Sequence, residues 1–123
     1  PVDPGMIGAF DSGGRANIGH ALECVVHDEL ARRGAEIGYV RTAQGFEVDF
    51  LARAPGGDEE LIQVCADATD AATAMRELRA LEDAASEFPR AARRLLVLNH
   101  GAAPKSAPPD VAIQGVAEWL LQP

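Results

Sequence analysis

Apolar residues recur at Ile18, Leu22, Val25, Val26 and Leu30 across residues 17–34, "NIGHALECVVHDELARRG". That spacing marks one face of an amphipathic helix. Asn17 suits its N-cap, Arg32 and Arg33 suit its last turn, and Gly34 its stop. The pattern then changes period. Ile37, Tyr39 and Arg41 alternate with Glu36, Gly38 and Val40, and Phe46, Val48 and Phe50 alternate with Glu47, Asp49 and Leu51. With Gln44-Gly45 between them, these runs predict a β-hairpin. Pro55-Gly56-Gly57 is a second turn, and "ELIQVCA" (60–66) a third strand. Residues 70–88 return to helical spacing, with Thr69 or Asp70 as cap. Met75, Leu78 and Leu81 form the apolar stripe, with Ala71, Ala74 and Ala85 as close-packing positions, and Arg76, Glu77, Arg79 and Glu82 form a solvated face. "RRLLVLNH" (93–100) reads as an interior strand. A Pro-rich loop follows (101–109), and "DVAIQGVAEWLLQ" closes the chain as a strand and one helical turn, with Trp119 as a core plug.

The order is helix, three strands, helix, strand, with a terminal appendage. It predicts an α/β sandwich around a mixed sheet, over residues 17–123, with residues 1–16 as a lead-in. No phosphate-binding run G-x-x-x-x-G-K-[ST] is present, so the domain itself is not expected to bind ATP.

Alternation places Glu47 and Asp49 on one face of the second strand and Gln63 and Cys65 on one face of the third. If those strands pair, Asp49, Gln63 and Cys65 converge, and Glu23 on the first helix points to the same place. Simpler readings compete. Asp49 could bond backbone amides at the sheet margin, and Glu47 and Glu23 could be solvated. Helical spacing also aligns Glu23 with His20 and His27, which would allow a transition-metal cluster.

Composition narrows the classes. The chain has 123 residues, 47% of them hydrophobic, which suits one packed domain. No apolar run is long enough to span a bilayer and no signal peptide is visible, so a soluble, cytoplasmic protein is expected. The two cysteines, Cys24 and Cys65, match no zinc spacing and read as reduced thiols. A net charge of −8 opposes non-specific binding to nucleic acid. The opening "PVDPGMIGAFD" reads as a piece of a longer chain.

The ordered set "VDPGMIGAF", "GHALECVVHDELARRG", "GFEVDFLA", "LIQVCAD" and "RELRALEDA" resembles the PD-(D/E)XK nuclease superfamily. It is closest to the uncharacterised C-terminal domain that follows the P-loop module in a large family of prokaryotic AAA-type ATPases. The resemblance implies a restriction-endonuclease-like α-βββ-α-β fold and an upstream ATPase domain as partner. In an active member, it implies that Glu23, Asp49 and the position of Gln63 bind Mg²⁺ or Mn²⁺ and that the position of Cys65 is a lysine. Carboxylates hold the hard cation, which lowers the pKa of a bound water, while the lysine stabilises developing negative charge. Here Gln63 removes a negative charge, and the Cys65 thiol cannot replace an ammonium. The expectation is a degenerate relic site in a module that contacts nucleic acid or a protein partner. The alternatives are an active metal-dependent nuclease, with Arg41 as the only nearby cation, and a protein-interaction module with no nucleic-acid role.

Overall fold

The computed structural model describes residues 15–123. Helix α1 spans Arg15–Arg32, and the strands are β1 (Glu36–Arg41), β2 (Glu47–Arg53) and β3 (Glu59–Val64). They are followed by α2 (Ala71–Glu87), β4 (Ala92–Val97), β5 (Val111–Gly115) and α3 (Val116–Leu120). The lead-in 1–16 falls almost wholly outside the described residues. The five strands form one mixed sheet in the order β1-β2-β3-β4-β5. β1, β2 and β3 pair antiparallel, whereas β3–β4 and β4–β5 are parallel. The terminal appendage therefore joins the sheet as its fifth strand, and β4 is interior as expected.

Local chemistry explains the boundaries. Gly34, Gly45 and Gly57 have positive φ at the ends of α1 and of the two hairpin turns, where a Cβ would be strained. Asp70 caps α2, its carboxylate accepting from Thr73 N–H at 3.0 Å.

The sheet is buried on both faces. On the α2 side, Val48, Leu61, Leu81, Leu95 and Val97 are fully buried. On the other, α1 and α3 cover Phe50, Ile62, Val64 and Leu96 with Leu22, Val26, Leu30 and Trp119. Each large side chain enclosed in this way contributes about 1.5–3 kcal/mol. Trp119 is held from both ends. The Arg33 guanidinium lies 4.6 Å from its ring centroid and donates to its carbonyl oxygen at 3.0 Å.

Two expectations on α2 fail. Met75 was placed in the apolar stripe but is 67% exposed. Glu77 was placed on the solvated face, yet its side chain is only 16% exposed. The helix is rolled about its axis relative to the Met75-Leu78-Leu81 stripe. Ala74, Ala80, Leu81, Ala84 and Ala85 are its buried residues, because small side chains let the helix lie close to the sheet.

A candidate site where β2 and β3 part

β2 carries one residue too many for regular pairing. Gly38 lies opposite Leu51 and Val40 opposite Val48, so Tyr39 alone faces Asp49 and Phe50. This is a β-bulge, which breaks alternation and re-aims side chains. Val48 and Leu51 consequently face the α2-side core, while Phe50 faces the α1-side core. The strict alternation predicted for Val48, Asp49 and Phe50 does not hold at this point. In β3 alternation does hold. Leu61 and Cys65 face α2 and Ile62 and Val64 face α1, which assigns Gln63 to the α2 side.

The β2–β3 ladder runs from Arg53↔Glu59 to Phe50↔Ile62. Beyond that pair, side chains take over. Gln63 Oε1 accepts from Asp49 N–H at 2.8 Å, and Gln63 Nε2 donates to the Glu47 carbonyl oxygen at 3.1 Å. The carboxamide thus offers β2 the donor and acceptor that a strand backbone would. In return, Asp49 Oδ2 accepts from Val64 N–H at 2.8 Å. On its other edge β3 stays with β4, and Cys65 N–H still donates to the Leu96 carbonyl at 2.9 Å. The opening lies on the β2 side alone.

Carboxyls outnumber cations there, with Arg76 3.6 Å from Glu77. Burial pushes the Asp49 carboxyl up to about 7, against the Val64 N–H bond that lowers it, and the charges of Glu23 and Glu77 push it further up. Glu23, on α1, is raised by burial, with the His20 imidazole opposing. Glu77, on α2, is also raised by burial, and the Arg76 guanidinium and the Gln63 amide oppose. Glu23 and Glu77 therefore approach Asp49 from helices on opposite faces of the sheet. The Glu23 charge acts on both Asp49 and Glu77. Cys65, half-buried, donates its thiol to the Asp67 carbonyl at 3.3 Å, and burial raises its pKa. Glu77 is the member that the sequence missed. Its i+7 spacing from Asp70, the helix cap, gave no signal of the roll that brings it inward.

These donors do not fit the divalent cation that the resemblance implies. A hard cation needs several oxygens aimed at one point. Gln63 Oε1 is aimed at the β2 backbone and Asp49 Oδ2 at the β3 backbone. Among the described residues, no group of three or more His, Cys, Asp and Glu side chains could hold a metal ion. That covers the combination of His20, Glu23 and His27 as well. An open cleft of about 1030 Å³ lies elsewhere, between α2 and the Pro-rich loop, and its walls include none of Glu23, Asp49, Gln63 and Cys65.

Comparison with known proteins finds no match among curated proteins or solved structures. No described helix is long and apolar enough to cross a membrane. One family, described as a domain of unknown function (DUF4143), matches residues 18–113. That match takes in the first helix, all of β1 to β4 and most of β5, and the chain belongs to the DUF4143 family.

Proposed function

We propose that this domain is a non-catalytic, nuclease-like accessory module of a P-loop ATPase, and that its relic cleavage site serves as a structural closure. The reciprocal bonding of Asp49 and Gln63 across the parted strands carries this reading. A metal-dependent nuclease site needs a cation and a polarised water at that position. Here the amide and the carboxylate are engaged by backbone groups, and the residue two positions beyond Gln63 is a thiol with a raised pKa. The module's task would be to contact nucleic acid or a partner, or to position the ATPase, in the cytoplasm. The net charge of −8 favours a protein partner over nucleic acid.

A cleavage assay with Mg²⁺ or Mn²⁺ on single- and double-stranded DNA and RNA tests this. It compares the unmodified chain, a Gln63→Glu, Cys65→Lys double variant, and Asp49→Ala. No cleavage by the unmodified chain is expected, since losing one catalytic electrostatic group costs about 10²–10³ in rate. Cleavage gained only by the double variant supports a disarmed nuclease fold. Metal-dependent cleavage by the unmodified chain that vanishes in Asp49→Ala overturns the proposal.

A further inference from the structure

The sheet absorbs only part of the apolar stripe on α2. Leu81 is fully buried, but Met75 is 67% exposed and Leu78 sits half-buried at the edge of the core. Met75, Leu78 and Phe46 all line the open cleft between α2 and the Pro-rich loop. The lining follows α2 from Ala71 to Ser86, about 22 Å at the rise of a helix. About seven residues of extended chain cover that length.

The far half of the cleft is acidic. Glu82 and Asp83 line it, and Glu87 follows in the last turn of α2, which carries no basic residue. A helix C-terminus is itself partially negative and favours cations, so here the dipole and the carboxylates add. Glu87 is engaged, accepting from Ala43 N–H at 2.9 Å. Asp83 Oδ2 is enclosed by the chain and has no hydrogen-bond partner, the one such buried side-chain oxygen or nitrogen among the described residues. An orphaned acceptor of this kind costs stability until a donor reaches it. The cations of the cleft do not supply one. The Arg79 guanidinium lies over the Phe46 ring, 5.5 Å from its centroid, and Lys105 is exposed on the loop wall.

We propose that this cleft receives a short segment of a protein partner, with apolar side chains against Phe46, Met75 and Leu78 and a lysine or arginine reaching Asp83. The apolar and acidic halves are separated along α2, so the segment binds in one direction, its base toward the helix C-terminus. The site rests on the reading of the domain as a partner-binding module, and it is separate from the parted strands.

The test titrates the full chain with a fluorescein-labelled peptide, one half leucine and methionine and the other half lysine and arginine. One control peptide replaces the basic half with glutamate, and another replaces the apolar half with serine. Anisotropy gives the affinity, and methyl-carbon NMR of the methionines gives the place, with Met75→Leu assigning its signal. Saturable binding that shifts the Met75 methyl is expected for the first peptide and for neither control. Met75→Asp should weaken it at least about tenfold, as loss of an anchor does. Asp83→Asn should weaken it about threefold to tenfold, and Glu118→Gln, on α3 across the sheet, should leave it unchanged. Far-ultraviolet circular dichroism checks that each variant is folded, and Met75 and Asp83 both lie outside the buried set of α2. No saturable binding, equal binding of either control, an unmoved Met75 methyl, or equal losses in Glu118→Gln and Asp83→Asn would each overturn the site. Failure here leaves the non-catalytic reading standing, because that reading falls only to cleavage in the assay above.

Discussion

At the start of β3, Glu60 accepts from Arg94 of β4 at 3.1 and 3.0 Å, and Arg94 donates onward to the Gln114 side chain of β5. Three strands are tied there by a cation set between an anion and an amide. At the far end of the same strand, Gln63 and Asp49 also tie strands together, but the charged groups around them are Glu23 and Glu77. Two residues separate a neutralised cross-strand network from an acid-rich one. A purely structural network has no need of carboxyls pressed together, because like charges near a buried group raise its pKa and cost stability. Perturbed acids of this kind gather at functional sites. Under the proposed function, the far end of β3 is the remnant of a site in which the Gln63 amide takes the role of closure.

The largest effect is expected from removing that amide. Gln63→Leu preserves volume but leaves the Asp49 N–H and the Glu47 carbonyl without their partner. At about 1–3 kcal/mol for each of the two stranded groups, urea unfolding should show a loss of about 2–6 kcal/mol. A loss below about 0.5 kcal/mol would mean that something else holds the strands.

Asp49→Asn should act in the opposite direction, and only at higher pH. The Asp49 carboxyl titrates at about 7 in the folded chain, against about 3.9 unfolded. The folded state therefore binds more protons between those values. The stability attached to the protonated acid is complete below pH 4 and is lost as pH rises through 7. Glu23 and Glu77, also raised, add to the same slope. The asparagine keeps an acceptor for Val64 N–H. It should match the unmodified chain near pH 4 and exceed it by about 2–4 kcal/mol at pH 8. Parallel pH profiles would contradict this.

At the neutralised end of β3, Glu60→Gln should cost about 1 kcal/mol, and because the Arg94 and Glu60 side chains are only 20% and 25% exposed, high salt should remove little of that effect. The smallest expected change is that of Glu23→Gln, which should lower the Asp49 titration midpoint seen by carboxyl-carbon NMR. A midpoint that stays fixed would separate α1 from the site.

Much of this was legible beforehand, for physical reasons that also mark the boundary. Helix and strand periods, the Asp70 cap and the Gly45 turn are local, and local chemistry decides them. Parity along β3 placed Gln63 and Cys65 together because that strand is regular. Parity along β2 failed at Asp49 because a bulge inserts a residue without changing the composition around it. Backbone bonding by Asp49 was one of the sequence readings, and it is what the geometry shows. Its partner Gln63 was read as a weakened ligand, since an amide that replaces a strand rung looks in sequence like any polar residue. Glu77 was assigned to solvent because helical spacing cannot report how far a helix of small residues rolls against its sheet.

The central claim is that β2 and β3 are closed by the chain's own side chains and not by a divalent cation. Thermal unfolding with and without millimolar Mg²⁺ tests it most directly, because a ligand bound only to the folded state raises the midpoint. The unmodified chain should show no rise beyond that of Asp49→Ala. A Mg²⁺-dependent rise in the unmodified chain that disappears in Asp49→Ala would contradict the claim.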